Sequence, residues 1–198
     1  MPLLCSLEIT QIGLVVTPAH RLFFLLIVFA TCGCSSSAAL DPGSAAPDFD
    51  LEAVRGGSYH LADFAGQVIL LSFINTQAEA SAATTDPSRA QIVFLKSMQE
   101  QYGPNGLAVM IVDAARLVTG DHPGMDQLIN FTYDWQLDQI PVLNDPDGTV
   151  TKLYTVTSTP TTFLVDADGK IDQRWDGFAS AAQLGLSIEP LIEPPAHR

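Results

Sequence analysis

Thiols are the side chains best suited to covalent chemistry near neutral pH, and this sequence keeps all of its cysteines at one end. Cys5, Cys32 and Cys34 precede residue 35, and no cysteine follows. Redox or nucleophilic catalysis through sulfur needs a thiolate poised inside a folded site, so the part of the chain able to fold lacks the reagent. Hydroxyls are the next nucleophiles in rank. Ser88 would need a histidine base, yet His60, His122 and His197 are scattered with no triad spacing. Metal binding is not expected either, because no His or Cys cluster stands at ligand spacing within the globular part. Asp145 and Asp147 belong to an Asp-Pro-Asp-Gly turn that needs no calcium, and Asp166 and Asp168 belong to a second turn. No phosphate-cradling glycine motif or internal repeat is present, so no cofactor is expected. Trp135 and Trp175 read as core or rim packing rather than a peptide-binding aromatic surface.

Composition narrows the partners. The chain is 47% hydrophobic and 16% charged, which suits one globular domain with a short extra segment. Its formal charge of -13, from 22 acidic against 9 basic residues, repels phosphate backbones and anionic headgroups. Nucleic acid is therefore excluded as a partner class, and the acidity reads first as a well-solvated surface.

The first 39 residues follow a different grammar. His20 and Arg21 precede the apolar run 22–30, then come Thr31, Cys32, Gly33, Cys34 and a serine-rich spacer. That order suits an export signal, and the run is short for a bilayer span. Three outcomes stay open: lipidation at Cys32 or Cys34, cleavage near Ala38, or retention as an anchor extended by residues 12–16. A Cys32–Cys34 disulfide is disfavoured, since a single intervening residue strains the ring. Residues 1–14 are unlike a signal n-region. Membrane contact is thus expected only through residues 1–39, and an extracytoplasmic, secreted or envelope-anchored location follows.

The elements that would position any chemistry begin near residue 45 and are expected to run to 194. Phe49, Leu51 and Val54, a turn at Arg55, Gly56 and Gly57, then Tyr59 and Leu61 predict a hairpin. The continuous apolar run 68–74 predicts a central strand buried on both faces. Residues 75–85 read as a loop. Asp86 as cap and Pro87 at the first helical position open a helix carrying Ile92, Leu95, Met98 and Tyr102 at spacings of three and four, and Gly103 stops it. The run 106–113 predicts a parallel strand, completing a β-α-β unit. A helix opening at Pro123 and Met125, a short strand at 141–143 and the end of a short helix at 152–156 follow. Asp168 and Gly169 predict a two-residue turn between strands 162–165 and 170–175, and a last helix is expected over 181–192, frayed by Pro190.

This β-α-β half followed by a β-β-α half, with Thr159, Pro160 and Thr161 between them, resembles the thioredoxin fold. More narrowly it resembles the redoxin (AhpC/TSA) and TlpA-like branch, carried by Tyr154, Val156, Thr159 through Leu164, Asp168 and Gly169. The resemblance implies an α/β three-layer sandwich, with a mixed central sheet, helices on both faces and an N-terminal hairpin extension. It also implies a cis bond before Pro160 and a thiol-disulfide oxidoreductase or antioxidant activity centred on a cysteine pair at the start of the first main helix. Pro87, Arg89, Ala90 and Gln91 keep the right-hand part of the Trp-Cys-Pro-Pro-Cys-Arg-Ala-Glu pattern, which puts Thr85 and Ser88 at the cysteine positions. Aligned from the central strand through Phe73 and Thr76, the positions become Ala78 and Ser81. The helix register is preferred. Neither holds a cysteine, and Thr84 with Thr85 only faintly echoes the threonine before a peroxidatic cysteine. Two functions are expected on this basis: a redoxin-family protein without its catalytic pair, or a binding module that holds an extended peptide or envelope protein beside Thr159 and Pro160.

Overall fold

The structure, a computed structural model, describes residues 40–77 and 87–192. The N-terminal segment with Cys32 and Cys34, the positions Thr85, Ala78 and Ser81, and the capping residue Asp86 lie outside the described residues.

The chain opens with the predicted hairpin, β1 (Asp50–Glu52) antiparallel to β2 (Ser58–His60). Gly56 and Gly57 turn it at φ of 94° and 90°, a region costly for any residue with a Cβ. A 3-10 turn, Leu61–Phe64, leads into β3 (Val68–Ile74), all of whose residues are buried. There follow α1 (Pro87–Tyr102), β4 (Leu107–Asp113), α2 (Ala115–Thr119), α3 (Met125–Asp134), β5 (Val142–Leu143), α4 (Thr149–Leu153), β6 (Thr161–Val165), β7 (Ile171–Asp176) and α5 (Ala181–Ile188).

The main sheet runs β5-β4-β3-β6-β7, with β3, β4 and β5 parallel and β6 and β7 antiparallel to their neighbours. This is the mixed sheet that the sequence predicts. Because side chains alternate along a strand, β3 feeds two cores at once. Val68, Leu70 and Ile74 pack with Ile92 and Leu95 of α1, Leu128 of α3, and Leu184 and Ile188 of α5. Ile69, Leu71 and Phe73 face the other way, onto Phe49 and Leu51, Val150 of α4, Tyr154 and Phe163. The layers are thus helices, sheet, and a second layer of short helices with the hairpin.

Three local expectations need correction. The turn between β6 and β7 is wider than two residues: the Asp166 carboxylate accepts the amides of Asp168 and Lys170 at 3.0 and 2.8 Å, and the ladder shifts register at Leu164 and Val165. That side-chain acceptor stabilises a broader loop than Asp168 and Gly169 alone would make. The last helix ends at Ile188 rather than 192, since Pro190 has no amide with which to continue it. The third helix starts at Met125, not Pro123, and the extra short helix α2 precedes it. Trp135 and Trp175 are half-buried against the core, as expected of rim packing.

Candidate functional site

The register of β6 on β3 pairs Thr161 with Phe73, which sets Pro160 at the carboxyl end of the central strand. In open α/β sheets this is the end where ligands gather. The Thr159–Pro160 bond is cis, as the resemblance implies. Just beyond Phe73, the Asn75 amide donates to Ser88 Oγ at 3.4 Å, bringing the first turn of α1 to the same sheet end. Ser88 is fully buried and faces inward. Its hydroxyl therefore fastens the helix start to the end of β3 and is closed to a substrate, so a serine-nucleophile role has no access. His60 pairs with Asp50 on the hairpin, and His122 lies against Asn144 and Asp113; His197 lies outside the described residues.

A third element meets this sheet end, and no signal in the sequence marks it. Asp176 pairs with Thr161, so the chain leaving β7 passes beside the proline step. Gly177 N–H donates to the Pro160 carbonyl at 2.8 Å, and Ala179 N–H donates to Gln91 Oε1 of α1 at 2.8 Å. Phe178 lies between these two anchors, 44% exposed. The α1 start, the Thr159–Pro160 step and the Gly177–Ala179 turn thus stand together, with a main-chain hydrogen bond joining the turn to Pro160 and a carboxamide hydrogen bond joining it to α1.

A buried polar cluster sits at the same sheet end. Asp113, the last residue of β4, is 1% exposed, and its Oδ1 accepts from the Thr76 hydroxyl and from Ala115 N–H. Its Oδ2 lies 3.5 Å from His122 Nε2, which is also 2.7 Å from Asn144 Oδ1. Two acceptors facing one nitrogen suit the tautomer with hydrogen on Nε2. Burial raises the Asp113 pKa above its ordinary value; Thr76, Ala115 and the imidazole oppose that rise, and Asp145 adds to it. Asp145 itself caps α4, accepting from Val150 N–H, Thr151 N–H and the Thr151 hydroxyl. Its role is structural, in keeping with the turn assigned from sequence. A carboxylate ending an otherwise apolar strand run was the one signal of this cluster in the sequence.

On the far side of the α1 start, a cleft of about 610 Å³ is lined by Thr76, Arg89, Gln127, Asn130, Phe131, Asp134 and Trp135. The Arg89 guanidinium lies over the Trp135 ring at 5.8 Å, a cation–π contact on a buried arginine. Among the described residues no group of three or more His, Cys, Asp or Glu side chains is placed to hold a metal ion.

Comparison with known proteins places this architecture. The AhpC/TSA family profile matches residues 42–174. Thiol-disulfide oxidoreductase ResA of Bacillus thuringiensis subsp. konkukian is 25% identical over 173 residues, covering 82% of this chain and 91% of that one. Thioredoxin-like protein YneN of Bacillus subtilis is 30% identical over 132 residues, covering 67% and 69% respectively. Among solved structures, one from Chlorobium tepidum assigned as thiol:disulfide interchange protein DsbE superposes with a TM-score of 0.62 at 29% identity, over 77% of this chain and 98% of that chain. The thioredoxin domain of a thiol-disulfide oxidoreductase from Bacteroides vulgatus shares the fold, with a TM-score of 0.63 at 19% identity over 78% of this chain and 99% of that one. Profile, relatives and backbone agree, and the chain belongs to the AhpC/TSA family as a thioredoxin-like redoxin.

Proposed function

We propose that this is an extracytoplasmic redoxin-family protein whose domain holds an extended peptide or envelope protein in the groove beside Pro160 without exchanging disulfides. One observation supports the reading: hydrogen bonds tie the Gly177–Ala179 turn to Pro160 and to Gln91 of α1 at one sheet end, while no cysteine follows Cys34. A serine or threonine hydroxyl has a far higher pKa than a thiol and forms no disulfide intermediate, so the scaffold keeps its recognition surface without the exchange step. The export-type segment at 22–34 supports the location, with the domain outside the membrane; among the described residues no helix is long and apolar enough to cross one.

A disulfide-reduction assay tests the loss of exchange. The full chain and its Cys5→Ser, Cys32→Ser, Cys34→Ser variant are both expected to show no turnover above a heat-inactivated control. Turnover by the cysteine-free variant overturns the reading. Installing Thr85→Cys with Ser88→Cys is expected to restore measurable exchange; restoration by Ala78→Cys with Ser81→Cys instead establishes the strand register.

A further inference from the structure

Helix α3 turns only part of its surface to the core. Leu128 and Thr132 are buried on its inner side, while Gln127, Asn130 and Asp134 are exposed. Together with half-buried Phe131 and Trp135 these residues stand at the spacings of three and four that gather side chains on one helix face. That face lines the cleft of about 610 Å³, and Arg89 of α1 and Thr76 beyond β3 supply the rest of its lining. The volume falls within the range of about 300–1,000 Å³ usual for small-molecule sites. The helical wall is fixed from behind: Lys96 of α1 donates to the Trp135 carbonyl at 2.9 Å, and the Arg89 guanidinium lies over the Trp135 ring at 5.8 Å. The Phe131 and Trp135 rings, 6.5 Å apart and tilted by 49°, form an apolar angle in a lining that is otherwise polar.

Charge sorts the ligands that such a cleft can take. Arg89 and Asp134 cancel, so the lining is neutral. A phosphate or polycarboxylate would meet one arginine offset by an aspartate, in a protein of net charge -13, and a cation would meet the arginine. A wholly apolar ligand would take water from Gln127, Asn130 and Asp134 without replacing their hydrogen bonds. A neutral molecule with many hydroxyls and one apolar face satisfies both parts of the lining, and a pyranose sugar has that form, with C–H groups on its ring face and hydroxyls around its rim. Carboxamides and carboxylates carry two polar atoms in one plane and can bond two adjacent hydroxyls at once. The aromatic rings offer the C–H face a surface that loses little conformational entropy on contact. The Thr76 hydroxyl gives its hydrogen to Asp113, so its oxygen remains an acceptor.

We propose that this cleft binds a neutral saccharide, with one pyranose ring against Phe131 and Trp135 and its hydroxyls bonded by Gln127, Asn130 and Asp134. The cleft shares no lining residue with the Thr159–Pro160 step, so each can bind or fail to bind without the other.

The test titrates the full chain, in a zwitterionic detergent without sugar headgroups, with N,N′-diacetylchitobiose, cellobiose and maltose. The indole N–H signals of Trp135 and Trp175 are followed by NMR, and Trp135→Phe assigns them. At least one disaccharide is expected to shift the Trp135 signal saturably, with an affinity that stays the same between about 50 and about 500 mM salt. Asn130→Ala, at an exposed position that leaves the fold intact, is expected to weaken that binding about tenfold, whereas Val118→Ala on α2 keeps it. Glutamate, lysine and glycerol serve as comparators, the first two charged and the third a polyol without a ring face. Absence of a shift from all three disaccharides at about 20 mM overturns the inference. An equal shift from glutamate or lysine overturns it by making the ligand charged, and an equal shift from glycerol by removing the need for a ring face. Unchanged affinity in both Asn130→Ala and Gln127→Ala overturns the placement of the sugar on α3.

Discussion

Asp113 shows how much chemistry one buried carboxyl gathers. Its native pKa is raised above the ordinary 3.8, chiefly by burial, so the folded protein holds that proton more tightly than the unfolded chain does. The corresponding stabilisation is complete below the unfolded value and is lost as pH rises through the higher native one. Asp113→Asn keeps an oxygen for the Thr76 hydroxyl and Ala115 N–H but cannot ionise. The variant is therefore expected to gain stability relative to the parent as pH increases from about 4 to about 7, measured by urea unfolding across that range. His122 and Asp145, the other titratable groups facing this carboxyl, act in opposite directions on it. A stability difference that stays flat with pH would show that Asp113 is ionised without penalty and the assignment is wrong. Ser88 teaches the converse at the same scale. A hydroxyl at a family cysteine position invites a nucleophilic reading, and complete burial with an amide bonded to it turns it into a fastener.

Among the elements, β3 bears the most. Its side chains supply both cores, and Leu70 is fully buried between the sheet and α1 and α5. Leu70→Ala is expected to cost about 2–5 kcal/mol, whereas Leu186→Ala on α5, 73% exposed, is expected to change stability by less than about 0.5 kcal/mol. Urea denaturation separates the two, and comparable losses would contradict the assignment of the core. A carboxamide hydrogen bond from Gln91 couples α1 to the turn before α5, beside the ring contact of Phe94 with Phe178. In Gln91→Ala the Ala179 amide loses its acceptor and is expected to exchange with deuterium at least about tenfold faster, the equivalent of about 1.4 kcal/mol. Unchanged protection would mean that the turn is held by other contacts and does not depend on Gln91. The elements themselves were mostly legible in advance. The periodicity of Ile92, Leu95, Met98 and Tyr102 gave α1, and the unbroken apolar run gave β3, because both signals act between neighbours in the chain. The ends were less legible: the Asp166 carboxylate widened one turn and Pro190 shortened one helix, each through a hydrogen bond made or denied beyond the repeating pattern.

For the whole molecule, charge and core answer different questions. The net charge of -13 says what the protein repels and draws, and is silent on fold; two hydrophobic layers on one sheet decide the fold and are silent on partner. By itself the sequence determined the sandwich class, the proline step before β6 and the lack of any cysteine after residue 34. These are matters of composition, turn chemistry and period, readable within a few residues or within one supersecondary unit. Only the tertiary structure decided that Thr76 reaches Asp113 across 37 positions, that His122 meets Asn144 across 22, and that Gln91 holds the turn beside Phe178 across 88. Such contacts are fixed by the order β5-β4-β3-β6-β7, which brings strand ends together regardless of their distance along the chain. A sheet end assembled from three such segments has no local signature, because each taken alone is an ordinary helix start, an ordinary proline step or an ordinary glycine turn.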